Sequence, residues 1–412
     1  MEEWKIYKLG EITSKIGSGA TPKGGRDSYL GGNISLIRSQ NVLDFSFSKS
    51  GLAYINEMQA EKLNNVEVYE KDVLLNITGD SVARVCIVPN NVLPARVNQH
   101  VAIIRGNEKV DYRYLLYYLQ YIKPQLLSLS QGGATRNALT KKMIEELEIK
   151  MPSKGTQKEI VSILYTLDTK IALNRRINDN LEQQAQALFK SWFVDFEPFK
   201  GRKFVESEMG MIPEGWKVGV LSDFIELLSG FAFKSNTFEF EGKYKLITIK
   251  AVQDGYLDLS GADNINNVPD RIPIHCFLKK KDILLSLTGN VGRCCLVNNE
   301  NLLLNQRVAK VEPKKIEDWA YSYILFRLPS TKTYLETISR GTAQANLSPI
   351  ETANMPILIP PREIMDAFSV CVTPIVNYLM VLTIEAEKLA KQRETLLPKL
   401  MSGELKINDL NC

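Results

Sequence analysis

The chain has 412 residues, more than one average domain and enough for two substantial cores; its 44% hydrophobic and 24% charged residues are ordinary for a soluble protein. A net charge of +4 means that any basic surface for nucleic acid has to be local. No run of eighteen apolar residues occurs, the start MEEWKIYKLG is unlike a signal peptide, and six cysteines without CxxC or framework spacing read as reduced thiols, so a cytoplasmic protein without a membrane span is expected.

In chain order, ISLIR (34–38), VLLNIT (73–78), VCIV (85–88) and HVAIIR (100–105) are predicted strands. YRYLLYYLQYIKPQLLSL (112–129) is apolar at helical spacing until Pro124 interrupts it. After Pro152, GTQKEIVSILYTL predicts a short helix, and Asp168 is a good N-cap for a long one. From there Ile171, Asn174, Asn178, Leu181, Ala185, Leu188 and Trp192 step by threes and fours, a heptad seam with two polar positions that would fix its register. Phe189, Trp192, Phe193 and Phe196 crowd its end and are expected to pack on the domain that follows, with an interface to a partner protein as the alternative use. Later, KLITIK, ILLSLT, CCLV and RVAKVE read as strands and WAYSYILFRL as a helix. Pro374 suits the first turn of a second long helix, whose seam is Ile375, Leu379, Leu382, Ala386, Leu389, Arg393, Leu396 and Leu400.

The chain says the same thing twice. KDVLLNITGDSVARVCIV (71–88) returns as KDILLSLTGNVGRCCLV (281–297). In the same order Trp4 matches Trp216, Gly19 matches Gly230, Asn98-Gln99 matches Asn305-Gln306, GGATRNALT matches RGTAQANLS, and Pro152 matches Pro360. The offset of about 207–212 residues is far beyond the roughly 20–50-residue periods of solenoids, so a domain has been duplicated. The expected fold is α+β: two homologous mixed α/β domains, 1–152 and 200–360, with helical segments 153–199 and 361–412. Each long helix carries one apolar stripe that must be buried, and the other helix is its natural partner. An antiparallel coiled-coil spacer with pseudo-two-fold symmetry follows. A helix over 168–193 would span ~39 Å, close to the ~34–36 Å repeat of a duplex groove, so two readers about one DNA turn apart are permitted.

Particular phrases carry a family resemblance. LEQQAQALFKSWFVDFEPF (181–199), PEGW (213–216), KQRETLLPKLMSGEL (391–405), ILLSLTG and the NQ pairs resemble the specificity subunit of type I restriction–modification systems, across essentially the whole chain. The resemblance implies that each domain is a target-recognition domain reading one half of a bipartite site in double-stranded DNA. It also implies that the helices set the spacer and dock two methyltransferase subunits, through which restriction subunits join. S-adenosylmethionine, ATP and Mg would sit on those partners.

Chemistry within the chain itself is not expected. The only Pro-Pro, Pro360-Pro361, lacks the Asn/Asp/Ser and aromatic of a methyltransferase motif, and Gly242-Lys243 is no phosphate loop. GSGATPKGG (17–25) follows an apparent helix and reads as a loop. Two histidines, His100 and His275, cannot build a His/Cys metal cluster. DNA reading is then assigned to loops at strand ends, where Arg and Lys suit guanine and Asn and Gln suit adenine. The candidates in the first domain are Arg38, Gln40, Asn41, Thr78, Arg84, Arg136 and Asn137. Those in the second are Lys250, Gln253, Thr288, Asn290, Arg293, Arg340, Gln344 and Asn346. Asn98 and Asn305 recur, so they are expected to satisfy backbone groups, and specificity is expected where Asp80-Ser81-Val82-Ala83 differs from Asn290-Val291-Gly292. A scaffold of two peptide-binding domains on a helical spacer is the alternative from another functional class.

Overall fold

The computed structural model describes residues 4–22, 29, 31–131, 137–339 and 346–405. They form two compact units, 1–171 with 388–412, and 172–387. The first contains an antiparallel sheet in the order Thr13–Ser18, Val101–Gly106, Val73–Asn76, Val85–Ile87. Beside it lies a mixed sheet, Ala53–Ile55, Ile34–Ile37, Ala95–Val97, Glu67–Val68. Lys5–Lys8 pairs with Glu148–Met151, and helices Tyr112–Tyr121 and Lys123–Gln131 break around Pro124 as expected.

The second unit repeats this topology and adds a hairpin of its own, Phe204–Ser207 with Gly210–Pro213. Its antiparallel sheet runs Ile225–Ser229, Val308–Pro313, Ile283–Ser286, Cys294–Leu296. Its mixed sheet runs Asn264–Ile265, Tyr244–Ile247, Leu302–Leu304, Phe277–Leu278, and Lys217–Val220 pairs with Pro356–Ile359. One feature of the strands differs from the expected meander: the centre of each mixed sheet is a parallel pair, Ile34–Ile37 on Ala95–Val97 and Tyr244–Ile247 on Leu302–Leu304. Leu36, Ile37, Leu303 and Leu304 are fully buried, which is the setting parallel pairs require.

The repeated phrase is framework in both units. Its aspartate closes the preceding turn, Asp72 Oδ2 accepting from Tyr69 N and Asp282 Oδ2 from Lys279 N, both at 2.7 Å. The same carboxylates pair across the sheet with Arg105 at 2.7 Å and Lys310 at 3.0 Å. Gly19 and Gly230 also share a role, though GSGATPKGG begins at the end of the strand Thr13–Ser18 and not after a helix. A Cβ on Gly19 would lie 1.7 Å from the Val97 carbonyl oxygen, and one on Gly230 2.2 Å from that of Asn305. Gly19→Ala is therefore expected to destabilise the first unit by about 1–3 kcal/mol or more, read as a lowered thermal midpoint; an unchanged midpoint would contradict the close approach.

The long helices are longer than their sequence signals. Lys154–Phe193 is one helix of 40 residues, so Asp168 is interior and not its N-cap. No Gly or Pro interrupts the stretch from Thr156 to Asp168, and the carboxylate that would compete for backbone is engaged by Tyr117 Oη at 2.5 Å and Arg393 Nη1 at 2.7 Å. Arg362–Ser402 is likewise continuous over 41 residues, so Pro374 is interior too. The turns ahead of it are held by tertiary burial: Met365, Phe368 and Val372 lie in the core of the second unit.

Within each unit the two helices run antiparallel. In the second, Asn174 Nδ2 donates to Glu385 Oε2 at 2.7 Å and Asn178 Nδ2 to Thr383 Oγ1 at 2.9 Å. Leu379, Leu382 and Ala386 are buried there, Leu181 and Leu188 partly so. In the first, Ile171 is buried, Leu389 and Leu396 are half-buried, and Ile160, Val161 and Leu164 share a cluster with Leu397, Leu400 and Met401. Phe189, Trp192, Phe193 and Phe196 pack, as expected, on their following unit, with Phe193 ring centroids 5.2 Å from Tyr321 and 4.7 Å from Phe368. Arg362–Ser402 holds a stretch long and apolar enough to cross a membrane by length and composition, but its Met365, Phe368, Val372 and Val376 are the core side chains just described.

Candidate nucleic-acid interface

In the first unit one end of the two sheets gathers the turns that follow the strands. Asn98 N donates to the Ile37 carbonyl at 3.0 Å, Ile77 N to that of His100 at 3.0 Å, and Leu139 N to that of Ile77 at 2.8 Å. The loop 38–51 is fastened to this frame by the buried amide of Asn76, donating to Ser39 O at 2.9 Å. Asn41 is fully buried: Oδ1 accepts from Arg38 N at 3.0 Å and Nδ2 donates to Ser48 O at 2.9 Å. Its amide is spent on the loop, which corrects its assignment as a base reader. Arg38 donates to Gly51 O at 2.5 Å, as does exposed Gln40 at 3.1 Å. Thr78 Oγ1 meets His100 Nδ1 at 2.6 Å. Arg84 is half-exposed and Asn137 exposed, and their side chains have no partner among the described residues.

The second unit builds the corresponding end. Asn305 N donates to Ile247 O at 3.1 Å, Leu287 N to Arg307 O at 2.9 Å, and Leu347 N to Leu287 O at 2.7 Å. Gln253 and Arg293 form a unit, Nη1 of the arginine on Oε1 of the glutamine at 2.5 Å, with Gln253 Nε2 on Lys250 O at 2.7 Å. Thr288 is buried, and its Oγ1 lies 3.4 Å from Asn346 Oδ1. Lys250, Asn290 and Asn346 are exposed. Asn290 and Arg293 line a cleft with Asp254, Lys332 and Glu336. Arg136, Arg340 and Gln344 lie outside the described residues. Within the stretches where the copies differ, Val82, Ala83 and Val291 are buried, so only Asp80, Ser81 and Asn290 present side chains to a ligand. Asn98 behaves as expected, Oδ1 accepting from His100 N at 3.0 Å.

Behind each end stands a matched support that sequence reasoning missed. In the first unit Asp44 accepts from Gln120 Nε2 at 3.2 Å and Lys123 Nζ at 2.5 Å; in the second Asp254 accepts from Arg327 Nη1 at 3.2 Å and Lys332 Nζ at 2.5 Å. Arg327 also pairs with Glu182 of the first long helix at 2.6 Å. Burial opposes its charge, but Tyr323 and Glu182 outweigh that and raise its pKa. Only a comparison of the copies for Asp followed by a helix-borne base could have found this arrangement.

Burial pushes the Cys86 and Cys295 thiols up to about 12 and Cys294 well above its ordinary value, so they stay protonated and unreactive. Among the described residues no group of three or more His, Cys, Asp or Glu could hold a metal ion. The arrangement offers amides, guanidinium groups and ammonium groups on stiffly anchored loops, the donors and acceptors that groove edges and phosphates accept.

A family model described as "Type I restriction modification DNA specificity domain" matches residues 1–183 and 213–370. The chain is 27% identical over 419 residues to the type I restriction enzyme MjaIX specificity subunit of Methanocaldococcus jannaschii, covering 99% of this chain and 95% of that one. It is 24% identical to the HindI specificity subunit of Haemophilus influenzae, covering 98% and 100%. Its fold is similar to the crystal structure of a type I restriction–modification S subunit from M. genitalium, with a TM-score of 0.54, 14% identity, and 97% and 96% of the two chains covered.

Proposed function

The chain belongs to the type I restriction modification DNA specificity domain family, and from that premise we propose that it is the non-catalytic sequence-specificity subunit of a type I restriction–modification complex. Each unit reads one half of a bipartite site in double-stranded DNA. The long helices set the spacer and dock two methyltransferase subunits, and restriction subunits join through these. S-adenosylmethionine, ATP and Mg belong to the partners, and the complex acts in the cytoplasm.

The observation that carries this reading is the doubling of one polar loop end on one topology, with different side chains on the two copies. A single binding task needs no such divergence. Exposed Gln40, Asn137, Lys250, Asn290 and Asn346, with half-exposed Arg84, are the proposed DNA contacts. Thr78, Thr288 and the Gln253–Arg293 pair shape the loops between them. For docking, the second long helix offers an apolar strip on the second unit, where Val370 is 75% exposed and Val381 57%.

Co-expression with a type I methyltransferase subunit, followed by mapping of methylated adenines in genomic DNA, is expected to give a split motif with an unspecified spacer. Affinity of the complex for duplex DNA should fall steeply with salt. A continuous motif, or no DNA binding at any salt, would favour a protein-binding scaffold instead.

A further inference from the structure

One position combines three shared anchoring bonds with a different side chain in the two units. In the first, Asn98-Gln99-His100-Val101 is held by Asn98 N on Ile37 O, Val101 N on Asn98 O and Ile77 N on His100 O. In the second, Asn305-Gln306-Arg307-Val308 is held by Asn305 N on Ile247 O, Val308 N on Asn305 O and Leu287 N on Arg307 O. The third residue of each tetrapeptide therefore sits at the centre of its loop end, beside the turns at 78 and 288.

The side chains there are in opposite situations. His100 is tied on both sides, Nδ1 to Thr78 Oγ1 at 2.6 Å and Nε2 to Gln99 Nε2 at 3.0 Å. Thr288, the counterpart of Thr78, turns to Asn346 instead. Arg307 is left exposed, and among the described residues its guanidinium has no hydrogen bond, ion pair or ring contact. Its φ of +73° places it in the left-handed region, where a residue with a Cβ persists only when its surroundings fix it. Bonds on either side fix it, and Gln306 N adds one to Phe231 O at 2.9 Å. A backbone fixed in this conformation presents a five-donor fork left free for a ligand, and guanine O6 and N7 are the base acceptors that such a fork matches.

We propose that Arg307 is a specificity-determining residue that reads a guanine in the half-site of the second unit, and that His100 makes the first unit differ at the corresponding point. This rests on the function proposed above. It adds a residue that the repeated Asn-Gln phrase conceals, because the phrase marks framework and the reader follows it.

The test uses the complex with its methyltransferase subunits and compares wild type, Arg307→Gln and Arg307→Lys by methylation mapping and duplex binding. Arg307→Gln is expected to relax one position in one half of the motif. It should weaken cognate binding roughly ten- to a hundred-fold while leaving binding to a duplex that lacks that guanine nearly unchanged. Arg307→Lys keeps the charge but loses the fork, so it should relax the same position. An unchanged motif in both variants overturns the proposal, as does uniform weakening on every duplex with a salt slope smaller by about one, the mark of a phosphate contact. If the wild-type complex itself yields no split motif, the parent reading fails and this proposal falls with it.

Discussion

Exchanging residues 1–152 for the corresponding segment of a relative with a different target is expected to rewrite one half of the methylated motif and leave the other half as it was. The loop end of the first unit is assembled entirely from turns within this segment, at 38–51, 77–84, 98–100 and 137–139. Its mixed-sheet core, from Leu36 to Ile103, is also closed within the segment. The junction falls between the strand Glu148–Met151 and the helix that begins at Lys154, where Ser153 is exposed. What the incoming segment must match is the helix face formed by Ile160, Val161, Leu164, Leu397, Leu400 and Met401, and the polar side chains Gln157, Asp168 and Arg393 that meet Asp111, Tyr117 and Phe45. A donor with similar apolar residues there should fold, and one with larger residues should fail through overpacking, costing about 1–3 kcal/mol per misfit. Methylation mapping decides the matter: a change in both halves, or in neither, would end the modular reading.

How much of this could be read from the chain follows from which signals are local. The duplication was legible because it is a pattern of many weak matches in one order, and the strands were legible because ILLSLT and VLLNIT are buried on both faces. The parallel pairing at the centre of each mixed sheet was not, since Ile34–Ile37 and Ala95–Val97 are brought together by the whole topology. Asp168 and Pro374 misled for one shared reason. Cap and breaker preferences are worth only about 1–3 kcal/mol, and here tertiary partners outweigh them: Tyr117 and Arg393 for the acid, Met365 to Val372 for the turns before the proline. Loop polarity was the weakest guide. Asn41 and Gln40 are adjacent polar residues in one turn, yet one is buried and consumed by the backbone while the other is exposed. Arg307 was not legible from the matching Asn-Gln pairs, because the informative signal is the mismatch that follows them, His100 against Arg307.

Arg393→Ala is expected to destabilise the first unit by about 3–5 kcal/mol, the largest loss among the single substitutions considered. Arg393 leaves the second long helix with its side chain 10% exposed, pairs with Asp168 of the first at 2.7 Å, and lies 3.7 Å above the ring of Phe45. Removing it would strand a carboxylate whose side chain is only 19% exposed, with the Tyr117 hydroxyl as its remaining partner. The loss should also reach the loop end, because Phe45 sits in the loop 38–51 with a φ of +58° and donates its N–H to Val85 O at 3.0 Å. The second unit has Gly255 at the corresponding place, donating to Cys294 O at 2.9 Å, and there Arg327 and Glu182 supply the base and the helix-borne acid. The same support is thus built twice, the acid from the first long helix each time and the base from two different helices, which argues that holding this loop matters to both units. Thermal unfolding of the variant should show a transition lower by on the order of 10 °C, and DNA binding should weaken in one half-site. Asp168→Leu added to Arg393→Met should recover part of the stability, since an apolar pair leaves no stranded charge, but not all of it, since Tyr117 then lacks its acceptor. A shift of under ~1 kcal/mol in the single variant, the range of a surface ion pair, would show that water reaches Asp168 and that the pair holds nothing.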